Sequence, residues 1–271
     1  MSQKTPSSTA SDSNTPGDIY ELQGRPDAIA EAEYFLSVPW CRAHLKPAEG
    51  RPKGSAATKE IRIVQPGSRR RVKPALNADG SFTSSTKTID NAFSTTLHTR
   101  DTIGAFIIFY EEPSIPASAG VSPGYRPPIL ELKALMSIGP GINGHIGVAH
   151  GGIVATILDE VLGLLMPLNL ARDRHNKRIG ATAPPLPAST DPNGPEAAAV
   201  SSATVTSGFV TGYLNITYSR PVRTPADILV TARFVRKEGT RKYFLEGSIW
   251  DGKSQLLAKA DLLFIALKER L

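Results

Sequence analysis

Residues 141–166, GINGHIGVAHGGIVATILDEVLGLLM, constrain the fold more than any other stretch, because a glycine-rich turn runs straight into an unusually apolar segment. At 3.6 residues per turn, Ile153, Val154, Ile157, Leu158, Val161, Leu164 and Leu165 cover most of the circumference. A helix apolar nearly all round must be buried, so the rest of the chain has to cover it. The remaining polar stripe is Thr156, Glu160 and Gly163, which makes Glu160 the expected solvent-facing acid. Asp159 instead shares a stripe with Ala155, Leu162 and Met166. An unpaired carboxylate among apolar groups is costly, so its presence points to a purpose; the alternative is an Asp bonded to a neighbouring strand for structure alone.

Just upstream, Gly151 and Gly152 let backbone approach a ligand closely, and the first N–H groups of a helix are unpaired donors at the positive end of its dipole. That combination suits a polarised carbonyl. His150 either adds a donor or caps the helix. His150 and Asp159 are nine residues apart, about 13.5 Å along the axis and about 180° around it. One helix cannot bring both to one substrate, whereas two antiparallel copies across a two-fold axis can. The spacing therefore predicts a composite site and at least a homodimer.

The cover for this helix is sought in β-branched and aromatic runs: 105–112, 129–138, 208–219, 227–237, 243–250 and 256–267. Two strands, one helix and four further strands read as α+β, a single antiparallel sheet around one central helix. Residues 92–271 form this domain, interrupted by a proline-rich insertion at 171–206. Residues 1–25 read as a disordered tail, and 26–91 as a helical and basic N-terminal extension. Within the extension, Pro26 and Asp27 open a helix that Pro39 should end, and IRIV at 61–64 is a short strand candidate.

Composition narrows the function. The net charge of +6 is concentrated in residues 51–74, where eight Lys or Arg face the single acid Glu60. No aromatic or helical pattern interleaves those charges, so a solvated basic linker is expected and nucleic acid is not. Cys41 is the only cysteine, and the five histidines show no metal-binding spacing, so neither a disulfide framework nor a metal site is expected. No apolar run reaches the roughly 18 residues that span a bilayer, and the first 20 residues have no secretory or import pattern; a cytoplasmic location is expected, with the mitochondrion not excluded. GVSPG at 120–124 matches a nucleophile elbow around Ser122 in letters only, because Pro123, Pro127 and Pro128 deny the helix that must follow.

With HGGIVATILD followed by TGYLNITYSRPV (211–222) and RKEGTRKYFLEGSIWD (236–251), residues 100–267 resemble the hotdog-fold acyl-CoA thioesterases, in the phenylacetate-pathway and THEM-type branch. The resemblance implies an antiparallel sheet wrapped around the helix and hydrolysis of an acyl-CoA thioester without a cofactor. It implies a carbonyl polarised at Gly151 with His150 beside it, Asp159 as general base or nucleophile, and Thr211 orienting the attacking group. Gly152 and the basic hairpin residues Arg236, Lys237, Arg241 and Lys242 correspond to substrate and CoA contacts. Some relatives place an Asn or Gln six residues before the His, where this chain has Gly144 and where Asn143 is one position off. The alternative from another class is a hotdog protein that binds acyl-CoA without turning it over, as a sensor or scaffold.

Overall fold

The computed structural model describes residues 20–21, 26–46, 60–69, 91–115, 120–181 and 208–267. Of the disordered tail expected at 1–25, residues 1–19 and 22–25 lie outside these residues, as does the proline-rich stretch 184–195, whereas Tyr20 and Glu21 form a short strand rather than disordered chain. Eight strands form one sheet in which every neighbouring pair is antiparallel, in the order β1-β2-β3-β4-β8-β9-β10-β7. They are β1 (Tyr20–Glu21), β2 (Ile61–Gln65), β3 (Ile103–Glu111), β4 (Glu131–Ile138), β7 (Phe209–Tyr218), β8 (Ala226–Glu238), β9 (Lys242–Trp250) and β10 (Leu256–Ala266). A small hairpin, β5 (Asn143–His145) and β6 (Val148–Ala149), leads into helix α3 (Gly151–Arg178). The six strands expected from the β-branched runs are all present, and IRIV lies within β2.

The inner face of the sheet packs on α3. Val154, Ile157, Leu158, Val161, Leu162, Leu164 and Leu165 are buried against Phe106, Met136, Ile228, Phe234, Leu245 and Phe264. Contact is close at Gly247 on β9, where a Cβ would lie 3.1 Å from Leu162 Cδ1 and from Thr231 O. Phe106 is core, while Trp250 faces the other side of the sheet. By length and composition alone α3 contains a stretch apolar enough to cross a membrane, and more than half of that stretch is buried in the protein.

α3 continues eight residues into the stretch expected to be an insertion, so residues 171–178 are helical. The sequence turns polar there because the helix grips the backbone leading into β4. The Asn169 amide accepts from Ile129 N at 2.8 Å and donates to Ile129 O at 2.9 Å, and Asn176 does the same with Arg126 N and O. Arg172 donates to Pro127 O and pairs with Glu112 at 2.7 Å. Nearby, Ser122 accepts from Tyr125 N in a turn, and no helix follows it, as expected of a sequence that only spells an elbow.

The N-terminal extension is part of this architecture. Pro39 ends α1 (Pro26–Ser37) and also starts α2 (Pro39–Leu45), as a proline at the first helical position can. Phe35, Cys41 and Leu45 on these helices cover Ile107, Phe109, Leu135 and Leu229 on the outer face of the sheet. The basic segment is not wholly a linker either. Past β2 the chain makes a tight turn at Gly67–Arg69, and the fully buried Arg69 pairs with Glu31 of α1 at 2.7 Å. Arg69 also donates to Ile103 O at 3.1 Å, and Glu31 accepts from Phe106 N at 3.3 Å. The ion pair thus occupies the part of the β3 edge that β2 is too short to reach.

Candidate active site

The β5–β6 hairpin delivers the chain to α3 through His150, which is the N-cap: its extended backbone (φ −63°, ψ 132°) lets Nδ1 accept from Gly152 N at 3.0 Å. His150 thus caps the helix through Nδ1, and the proton of a neutral ring is on Nε2. The amides of Ile153 and Val154 go to His150 O. Gly151 N–H has no partner among the described residues, so one amide at the positive helix end is available. Gly144 packs on the cap so closely that a Cβ would sit 2.8 Å from His150 Cα and Cδ2. Position 144 therefore has no room for the Asn or Gln of some relatives, and Asn143 is held instead by the Thr224 hydroxyl.

Asp159 lies two turns further along α3 and is half-buried rather than enclosed. Thr211 Oγ1, on the edge strand β7, donates to its Oδ1 at 2.8 Å. Oδ2 has no partner among the described residues. Tyr218, at the far end of the same strand, donates from its hydroxyl to Gly151 O at 2.8 Å. β7 therefore runs alongside both the start of the helix, at Gly151, and Asp159. His150 and Gly151 are not brought to Asp159 within one chain.

Glu160 is not the solvent-facing acid expected of it. It is half-buried and accepts from the Ser68 hydroxyl in the Gly67–Arg69 turn, which ties the extension to the helix. No helical periodicity could show that cover, because Ser68 is 92 residues away in sequence.

The basic hairpin is at the other end of α3. Lys237 lies beside Asp173, fourteen positions beyond Asp159 or about 21 Å along the axis. Burial lowers its pKa from the ordinary lysine value, and Asp173 opposes that shift. Arg236 stacks 3.7 Å over the Phe244 ring and pairs with Glu238, and Arg241 donates to Ala266 O at 2.7 Å. Lys242 is exposed. None of the four is hydrogen-bonded or ion-paired to Asp159 or Thr211. Among the described residues, no group of His, Cys, Asp and Glu could hold a metal ion.

Fold and site together define a hotdog-type protein, one antiparallel sheet around a single long helix, with an acid–hydroxyl pair between that helix and the sheet edge. No family model matches the chain. Over 144 residues it is 32% identical to verlamelin biosynthesis protein B of Lecanicillium sp., a match covering 53% of this chain. The match spans 57% of the length of that curated relative. Among solved structures, a Bacillus halodurans protein crystallised with CoA is 24% identical, covering 52% of this chain and 70% of its own at a TM-score of 0.33. A Streptococcus pneumoniae hypothetical thioesterase with coenzyme A is 13% identical, covering 52% and 82% at 0.36. The E. coli PaaI protein of the phenylacetic acid degradation operon is 12% identical, covering 51% and 73% at 0.34.

Proposed function

We propose that the chain hydrolyses an acyl-CoA-type thioester to a free acid and a thiol, at a site assembled from two copies. The observation that carries this reading is the Thr211–Asp159 hydrogen bond of 2.8 Å, because it holds one carboxylate oxygen and leaves the other for the reaction. Oδ2 either takes a proton from water as the water attacks the carbonyl carbon, or attacks that carbon itself to form a mixed anhydride that water then hydrolyses, releasing the acid and restoring Asp159. Gly151 N–H receives the charge that develops on the carbonyl oxygen, and the C–S bond breaks with the thiolate leaving and taking up a proton. The nucleotide end is assigned to the β8–β9 hairpin, where Arg236 is held ready by Phe244 and Glu238 and Lys242 is exposed.

A second copy is required because His150 and Asp159 are separated on one helix. The outer edge of β7 supports such a partner: Val210, Tyr213 and Tyr218 are 45%, 40% and 53% exposed along a strand that, among the described residues, is paired on one side only. Open, apolar edges of this kind invite strand pairing. If β7 pairs antiparallel with its copy about Asn215, Tyr218 falls opposite Thr211 of the partner subunit. Tyr218 lies three residues after the axis and Thr211 four before it, and a β-bulge at Gly212 absorbs the extra residue. The free Gly151 amide of one subunit then meets Asp159 of the other.

The test is thiol release from a panel of short, long, aliphatic and aryl acyl-CoAs, comparing the full chain with Asp159→Ala. Release that disappears in the variant is the expected result. Absence of release across the panel, with acyl-CoA still bound, would refute hydrolysis and favour the sensor or scaffold alternative.

A further inference from the structure

Along β7 the side chains do not alternate as a regular strand requires. Leu214, Ile216 and Tyr218 lie on the helix side, the first two packing on the core and the third bonding Gly151 O. Strict alternation would put every odd-numbered residue of the strand on the opposite side, Thr211 included. Yet Thr211 reaches Asp159. The pairing with β10 gives the reason: Leu263 faces Tyr213 and Phe264 faces Thr211, so Gly212 is an extra residue on the β7 side. A Cβ built on Gly212 points to the outer face, 3.0 Å from Ile265 Cδ1 and 3.3 Å from Leu263 Cδ2. Gly212 and Tyr213 are thus both turned outward, and the alternation resumes one residue late with Thr211 turned in.

We infer that Gly212 is a positioning residue of the site: its bulge selects the face on which Thr211 stands, and a side chain at 212 would have to displace Ile265 and Leu263 to keep that bulge. The catalytic consequence rests on the thioester hydrolysis proposed above, whereas the placement of Thr211 does not. A β-branched residue at 212 meets Ile265 and Leu263 in the bulged geometry and favours a regular strand. Regular pairing sends position 212 to the helix side and Thr211 outward. Deleting Gly212 has the opposite logic. Removing the extra residue restores regular pairing of Leu263 with Tyr213 and of Phe264 with Thr211, leaving Thr211 on the helix side.

Two variants of the full chain, Gly212→Val and a deletion of Gly212, separate this role from a merely structural glycine. Crystal structures are expected to show Thr211 turned away from Asp159 in the first and still bonded to it in the second. With acyl-CoA, Gly212→Val should lower kcat by the same factor as Thr211→Val at nearly unchanged KM. The double variant Thr211→Val/Gly212→Val should be no slower than Thr211→Val alone, and the deletion should retain activity. Thr211 still facing Asp159 in Gly212→Val, or turned out in the deletion, would overturn the inference. If the crystal structures come out as expected but the wild-type chain releases no thiol, the positioning role stands and the proposed hydrolysis fails.

Discussion

Replacing Arg69 by Met should unfold the protein far more readily than its place in a basic segment suggests. The Arg69 side chain is fully buried, and Glu31 opposite it is only 10% exposed in its side chain. The pair is 2.7 Å apart and serves the β3 edge on both sides, with Arg69 donating to Ile103 O and Glu31 accepting from Phe106 N. Methionine keeps much of the volume but removes the guanidinium from the buried Glu31 carboxylate, leaving it, among the described residues, only Phe106 N and the His98 ring at 3.4 Å. Breaking a buried pair in this way costs about 3–5 kcal/mol. For a chain of this size each kcal/mol lowers Tm by about 2–4 °C, so the expected drop is about 6–20 °C. The double variant Glu31→Gln/Arg69→Met should recover part of that loss, because no uncompensated charge remains. Thermal and urea unfolding of the wild type, both single variants and the double variant measure the coupling. A Tm for Arg69→Met within about 2 °C of wild type, or a double variant less stable than both singles, would refute the reasoning.

Three further outcomes follow from the packing. Asn169→Ala leaves the buried N–H and C=O of Ile129 without partners, so urea unfolding should show a loss of about 2–6 kcal/mol, at about 1–3 per stranded group. Cys41 is pushed up to about 12 by burial, with a smaller contribution from Asp227. A thiol reagent at pH 8 should therefore label it only after denaturation, and prompt labelling of the native chain would contradict this. His44 is lowered from its ordinary 6.5 first by burial and then by Lys133, so the folded chain resists the proton that the unfolded chain accepts. Its contribution to stability is complete above pH 6.5 and is lost as pH falls below that value; His44→Phe should flatten this part of the pH–stability curve.

The central helix and its strands were legible because their signals are local. A 3.6-residue apolar pattern means burial wherever it occurs, and β-branched runs between turns mean strands. What the sequence hid depends on partners distant along the chain. Residues 171–178 look like loop because Arg172 and Asn176 are spent on the backbone of residues 126–127 rather than on an apolar face. Glu160 lies on the polar stripe, as read, but a turn from the extension covers it. Pro39 is a stop signal and a start signal at once, and the sequence alone does not say which helix it serves. Asp159 and His150 stand out from the helix pattern and its turn, whereas Thr211 is singled out only by the resemblance. That Thr211 faces the helix could not be read, because alternation predicts the opposite and the bulge appears only in the register with β10.

The most direct test of a composite thioesterase is complementation between two inactive variants, Gly151→Pro and Asp159→Ala. Proline removes only the free amide at position 151: it is tolerated as the first helical residue, and His150 already has the extended conformation that a following proline requires. Each homodimer should lose thiol release, about 10²–10³-fold for the missing amide donor. Co-expressed hybrids should recover about half of the wild-type rate, because one of their two sites draws an intact amide from one subunit and an intact Asp159 from the other. Hybrids as inactive as both parents would place the amide and the acid of each site in the same chain and contradict the account.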